Sequence, residues 1–312
     1  MVETPLWFWG VFVAILVALL VFDLGVIGRQ KSRIGIRESL LLTAGYVTVA
    51  LLFGGAVFIV EGTGKGFEYL TGYLLEKSLS VDNIFVFVLI FGHFQVPREY
   101  QHRVLFWGIL GALGMRAAMI FAGTALLNQL DWVIYVFAVI VIASGIRLLV
   151  KGDEDPDLED NRILRFLRRH MRVTKDYEGR RFFVRREGVR YATPLALTLL
   201  FIETSDLMFA FDSIPAIFGV TRDPFIIYTS NAFAILGLRA LYFAVAGLMR
   251  RFQYLHYGLA IILILIGLKM IADQFVEIPI WATLSVTLAI IGGSVGLSMI
   301  KNRRAAASDA AS

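Results

Sequence analysis

Long apolar stretches constrain what this chain can fold into more than any other feature of its sequence. A helix needs about 20 predominantly apolar residues to cross the hydrocarbon core of a bilayer, and nine stretches are long enough. Apolar residues make up 58% of the 312 residues and charged residues 18%, whereas soluble domains have roughly 45–50% and roughly 25%. The predicted spans lie at about 7–28, 38–60, 66–93, 104–127, 132–150, 193–219, 225–249, 252–272 and 279–300.

The sequence therefore predicts a single all-α, polytopic membrane domain over residues 1–312, embedded in the lipid bilayer. With no cysteine, the chain can form neither disulfides nor thiolate metal sites. The sequence shows no nucleophile–base pair and no cofactor motif, so we expect neither an enzyme nor a resident cofactor. The net charge of +5 does not indicate a nucleic-acid partner, because the basic residues are concentrated in particular loops. The oligomeric state is left open.

Lysine and arginine residues are distributed unevenly between the two sides of the predicted spans. Twenty-three of them lie in loops or in the tail on one side, and only Lys65 and Arg222 lie in loops on the other. Basic residues concentrate on the cytoplasmic side of membrane proteins. The sequence therefore predicts an inner-membrane protein with its N-terminus outside and its C-terminus in the cytoplasm.

The segment at about 151–192 is then a long cytoplasmic loop. It contains a basic amphipathic stretch from Asn161 to Met171, followed by RRFFVRREGVRYA, which predicts a short β-hairpin turning at Glu187 and Gly188. We expect this loop to lie on anionic lipid headgroups. The low-complexity tail at 303–312 is predicted to be disordered.

Three short motifs recur in the same order, at offsets of about 122 to 130 residues. Together they predict a duplicated unit of three helices, at about 66–150 and 193–272. An odd number of helices per unit forces the second copy into the opposite orientation, which is the inverted-repeat architecture of secondary transporters. The matched pairs are Leu113–Ala117 with Leu236–Ala240, Gly145–Leu149 with Gly267–Ile271, and the acid-x5-acid pairs that begin at Glu76 and Asp206.

Six acidic residues fall inside predicted spans and away from their ends, where an ionised side chain costs at least about 2.5–3.5 kcal/mol. Ion pairing is one explanation, but only Arg116 and Arg239 lie as deep as the acids of spans 3 and 6, and two cations cannot neutralise five carboxylates. A cation site, a proton path or both is the alternative that we favour. The six are Asp23, Glu76, Asp82, Glu203, Asp206 and Asp212.

The ligands available in these spans narrow the choice of cation. All four histidines fall at or beyond cytoplasmic span ends, so the central site offers carboxylates, the Asn83 amide, hydroxyls and main-chain carbonyls. Oxygen ligands suit manganese, magnesium or calcium and disfavour copper, zinc or nickel. Pro215 cannot donate a hydrogen bond to the Phe211 carbonyl, which predicts a kink there and a carbonyl free to face the cation.

Three long motifs resemble the TerC family of membrane proteins, within the lysine-exporter-like superfamily. They are EKSLSVDNIFVF at 76–87, YATPLALTLLFIETSDLMFAFDSIPAIFGVT at 191–221 and YTSNAFAILGLRALYF at 228–243. The resemblance implies duplicated three-helix units, manganese export and an association with tellurium resistance. It also implies that the ion is bound by Glu76, Asp82, Glu203, Asp206 and Asp212, while Asn83, Asn231 and Asp23 match family positions tied less directly to the ion.

The resemblance leaves alternatives open. Tellurite is an oxyanion that buried carboxylates would repel, so any tellurium resistance would be indirect, through metal homeostasis. Export of another small solute or cation remains an alternative, and so does a non-transporting role in membrane assembly. The choice among divalent cations and the driving force, with proton antiport as one option, stay open at this point.

Overall fold

The computed structural model describes most of the chain, with gaps in some of the loops. The predicted amphipathic stretch at 161–171 and the side chain of Asp82 lie outside the described part. The described residues are 4–27, 35–130, 132–151, 173–174, 176–186, 188–245, 254–273, 275–276 and 278–309.

The fold is a bundle of long helices, so the all-α polytopic prediction is confirmed. A short π-helical turn, Asp23–Ile27, extends the first helix, and one two-stranded sheet lies between the fifth and sixth helices. The helices are α1 Leu6–Phe22, α2 Ile36–Val60, α3 Thr63–His93, α4 Arg98–Gln129, α5 Val133–Lys151, α6 Pro194–Phe218, α7 Pro224–Leu236, α8 Leu238–Val245, α9 Leu255–Ala272 and α10 Ile280–Asp309.

Seven helical stretches among the described residues are long and apolar enough to cross a membrane, compared with nine predicted spans. The two that do not qualify are α3 and α9. Helix α3 has 31 residues, but Glu76, Lys77 and Asp82 interrupt its apolar sequence. The apolar stretch of α9, His256–Ala272, is shorter than the seven others.

The structure differs from the prediction in three details. Helix α6 continues through Pro215 to Phe218, although the Phe211 carbonyl receives no hydrogen bond from the proline, which has no N–H. The seventh predicted span contains two helices, α7 and α8, with Gly237 between them, and residues 224–244 together still qualify as one membrane-spanning stretch. The tail predicted to be disordered from 303 is helical as far as Asp309, in keeping with the strong helix propensity of its alanines.

The predicted hairpin is confirmed. Strands β1 (Phe183–Arg186) and β2 (Val189–Ala192) pair antiparallel, and Gly188 in the turn has a φ of +82°, which favours glycine. The segment just before the hairpin packs on the ends of α3 and α4: Tyr177 Oη donates to the Phe94 carbonyl at 2.6 Å, and the Arg103 guanidinium lies 5.0 Å from the centre of the Phe182 ring.

Helix packing brings distant parts of the sequence together in pairs, with α3 against α7, α4 against α6, and α5 against α9. Helices α5 and α9 approach closely at two glycines. A Cβ atom on Gly145 would lie 2.8 Å from the Ala260 carbonyl oxygen, and one on Gly267 would lie 2.9 Å from the Ala138 carbonyl oxygen. Gly267 and Ala260 each lie 122 positions after Gly145 and Ala138, so the two helices use equivalent surfaces to contact each other.

Alanine at either glycine should separate α5 from α9. We expect Gly145→Ala and Gly267→Ala each to reduce the free energy of unfolding by about 1–3 kcal/mol, because the obstructing atom is main-chain oxygen that no side-chain rotation can move. Thermal unfolding of the purified protein in detergent measures the effect. Gly296→Ala in α10, where nothing lies within 4 Å of the added atom, is the control. Unfolding temperatures for the two variants equal to that of the control would contradict this account.

Candidate functional site

A buried arginine is the centre of the largest polar cluster within the described helices. Arg116 of α4 is only 1% exposed. Its Nη2 and Nε donate to the two carboxylate oxygens of Asp206, at 3.1 and 3.3 Å, and its Nη1 pairs with the Glu76 carboxylate. Nη1 also lies 3.1 Å from Asn231 Oδ1 and 3.4 Å from Ser213 Oγ. The guanidinium therefore connects side chains of α3, α6 and α7 to α4.

The hydrogen bonds of this cluster form a connected network, but its positive and negative charges are not balanced. Asn231 donates from Nδ2 to Glu76 Oε2 at 3.2 Å, so its amide bridges the carboxylate and the guanidinium. Glu76 has no exposed surface and Asp206 is 3% exposed. Buried charges require partners, and here two ionised carboxylates would share one permanent cation, Arg116, and leave a formal charge of −1.

A second buried ion pair lies between the first helix and α8. Arg239 Nη2 donates to Asp23 Oδ1 at 2.5 Å and to the Asp23 carbonyl at 2.7 Å, and Tyr46 Oη donates to the same carboxylate oxygen at 3.0 Å. Asp23 begins the π-helical turn, a conformation often found at functional sites. In this pair the charges balance one to one.

The remaining acids of α6 contact two different helices. The Glu203 carboxylate contacts α4 at Gly111, where a Cβ atom would lie only 2.0 Å from Glu203 Oε1, so glycine leaves the space that the carboxylate occupies. Asp212 accepts a hydrogen bond from Ser144 of α5 at 2.6 Å. Glu203 precedes Asp206 by three residues and lies near it on the helix surface.

Four further predicted site residues lie on α3 and α6. Asn83 of α3 is buried, and Asp82 beside it belongs to the same helix but has no described side chain. Phe211 turns its ring outward, 57% exposed. Its carbonyl receives no hydrogen bond from Pro215, which has no N–H.

The predicted acids thus converge only in part. Glu76 and Asp206 meet at Arg116, while Glu203 faces α4 and Asp212 faces α5. Across the described side chains, no three histidine or acidic groups lie close enough together to hold a metal ion. The separation of Asp206 from Asp212 follows from the uninterrupted helix, because residues six apart lie on different faces.

Sequence reasoning missed several polar partners. Tyr46 and Ser144 bind the predicted acids Asp23 and Asp212, and Lys77 Nζ donates to the Ala234 carbonyl at 3.1 Å, just before the break at Gly237. Lone hydroxyls in apolar spans give no signal of this kind. Lys77 was visible as a charge beside Glu76, but its main-chain partner 157 residues away was not.

Comparison with known proteins gives a consistent picture. The family described as "Integral membrane protein TerC family" matches residues 61–308. An uncharacterized membrane protein of Myxococcus xanthus, STKORF319, is 47% identical over 302 residues, covering 97% of this chain and 95% of the relative. The Escherichia coli K12 protein named "Putative membrane-bound redox modulator Alx" is 44% identical over 299 residues, 93% of each chain. No solved structure matches significantly.

Proposed function

Because the chain belongs to the TerC family of integral membrane proteins, we propose that it exports divalent metal cations, with manganese as the principal substrate. One observation carries the proposal: acidic side chains outnumber basic partners within the helical bundle. Glu76 and Asp206 share Arg116, and among the described residues neither Glu203 nor Asp212 forms an ion pair. A purely structural set of charges would be balanced, as Asp23 is by Arg239.

The ligand chemistry supports a hard cation. Carboxylates, the amides of Asn83 and Asn231 and the hydroxyl of Ser213 supply oxygen atoms, which manganese, magnesium and calcium prefer. Manganese is preferred over the other two on the strength of the family resemblance. The absence of cysteine from the chain argues against a redox role based on thiols, whatever the name of the Escherichia coli relative indicates for that protein.

We also propose that the membrane domain has nine spans, because α3 and α9 would cross the bilayer in addition to the seven stretches that qualify. The units at about 66–150 and 193–272 would form an inverted repeat. Helix α3 would be about 46 Å long at 1.5 Å per residue, which is enough to cross a bilayer. The reciprocal approach of Gly145 and Gly267 supports a pseudo-twofold axis between α5 and α9. The meeting of Glu76 and Asp206, equivalent positions of the two units, on one arginine supports it too.

The distribution of basic residues supports an outside N-terminus and a cytoplasmic C-terminus. Since the chain has no cysteine, a single introduced cysteine shows on which side of the membrane its position lies, with no other thiol to react. Arg180→Cys beside the hairpin and Arg222→Cys between α6 and α7 replace exposed residues. In intact cells, an impermeant thiol reagent should label Arg222→Cys alone. Labelling of Arg180→Cys alone would reverse the proposed orientation.

Release of the cation needs a compensating charge. Five motif carboxylates exceed the charge of one divalent ion and Arg116, because Arg239 is already paired with Asp23. We therefore propose that some carboxylates exchange protons as the ion leaves, which would couple export to proton entry. This coupling would draw the driving force from the proton gradient across the membrane. A manganese gradient imposed on proteoliposomes should then move protons in the opposite direction, and manganese movement without proton movement would contradict the coupling.

Flux measurements with purified protein in liposomes test the export proposal. Wild type should carry manganese, and Asp82→Asn, Glu203→Gln and Asp212→Asn should reduce the flux to that of empty liposomes, because each removes a charge and preserves size. Glu178→Gln, beside the cytoplasmic hairpin, is the control and should transport normally. A wild-type protein that inserts, folds and carries no divalent cation would contradict export and favour a role in membrane assembly.

A further inference from the structure

The Arg116 guanidinium occupies the space between two carboxylates that come from different halves of the chain. It contacts both oxygens of Asp206 and one oxygen of Glu76, and Asn231 closes the ring by binding both Arg116 and Glu76. The arginine is 1% exposed, Glu76 not at all. A cation could reach these two carboxylates only by displacing the guanidinium.

Displacing the guanidinium changes which group is left without an opposite charge. Arginine stays protonated in proteins, so the guanidinium is a permanent single charge on a flexible side chain. Without it, Glu76 and Asp206 would face each other as two carboxylates in a low-dielectric interior and would repel strongly. A divalent cation between the same carboxylates would neutralise both, whereas Arg116 neutralises only one of the two charges. The empty state of these groups therefore has a formal charge of −1, carried by the carboxylates, and the metal-bound state a formal charge of +1, carried by the displaced guanidinium.

We propose that Arg116 is a built-in substitute for the transported cation. It holds Glu76 and Asp206 together while the carrier is empty, moves aside when a divalent cation binds, and returns when the ion leaves. The inference rests on the proposed export function and extends it, because it explains how an empty carrier keeps two opposed carboxylates close without a second ion. Cation and guanidinium then compete for the same oxygen atoms.

The chain contains a matched control for this arginine. Arg239 lies at the equivalent position of the second unit, is 2% exposed and is also ion-paired, but it faces a single carboxylate, that of Asp23. Removing it leaves one buried acid and no carboxylate pair for a divalent ion. Loss of either arginine should destabilise the protein, and only loss of Arg116 should expose a cation site.

Thermal unfolding of the purified full-length protein, titrated with manganese, separates the two roles. In the absence of metal, Arg116→Gln and Arg239→Gln should both unfold at lower temperatures than wild type. Manganese should restore Arg116→Gln with a half-maximal concentration at least about tenfold below that of wild type, because no competitor occupies the site. The response of Arg239→Gln should match that of wild type.

Arg116→Lys provides a second variant if the glutamine variant does not fold. Lysine keeps the charge but loses the bidentate contact with Asp206. The half-maximal manganese concentration of Arg116→Lys should therefore lie between those of Arg116→Gln and wild type. A value at or above that of wild type would overturn the proposal. Transport gives an independent readout. Arg116→Gln should still exchange internal for external manganese. It should lose net efflux into metal-free solution, because the empty carrier no longer has a cation that holds Glu76 and Asp206 together.

The outcomes distinguish this inference from the function on which it rests. If wild type responds to manganese and Arg116→Gln does not, Arg116 positions the site, the substitution role is wrong and export stands. If neither protein responds to manganese, magnesium or calcium, both proposals are wrong. A response by Arg116→Gln alone would support competition at the site while contradicting export by the wild-type protein.

Discussion

The ion pairs of Arg116 with Glu76 and Asp206 are the interaction on which the arrangement of the bundle depends. They join α3, α4 and α6, and Asn231 adds α7, so helices from both halves of the chain share one polar centre. In an apolar interior, each of these groups is costly without its partners. The same contacts that determine which helices are neighbours therefore also determine where charge is concentrated inside the bundle.

The second ion pair has a different character. Asp23 and Arg239 balance each other and connect the π-helical turn after α1 with α8, outside the contact between the two units. Arg116 and Arg239 are equivalent by sequence, yet one is shared by two acids and the other is satisfied by one. Equivalent places in two sequence motifs therefore do not imply equivalent ion pairing in the structure.

The sequence alone predicts much of this structure. Apolar stretches identify most of the helices, three motifs identify the family, and an apolar run followed by a turn at Gly188 identifies the hairpin. These features depend on local composition and periodicity, which a sequence shows directly. The depth of Arg116 and Arg239 is visible in the same way, from their places within apolar spans.

What could not be predicted depends on neighbours distant in the sequence. Asp206 and Asp212 look alike in the motif, but the uninterrupted helix directs one toward Arg116 and the other toward Ser144. Pro215 is a helix breaker by type, yet helix α6 continues through it to Phe218. The number of carboxylates indicates an excess of negative charge, and only the packing shows which of them share a cation.

The metal content of whole cells tests the central claim, export of manganese, most directly. Manganese, iron, zinc, calcium and magnesium would be measured in cells with and without the protein, grown in excess manganese, with its presence in the membrane verified. Our account predicts that cells containing the protein hold less manganese while the other four metals are unchanged. Equal manganese in both kinds of cell would contradict it.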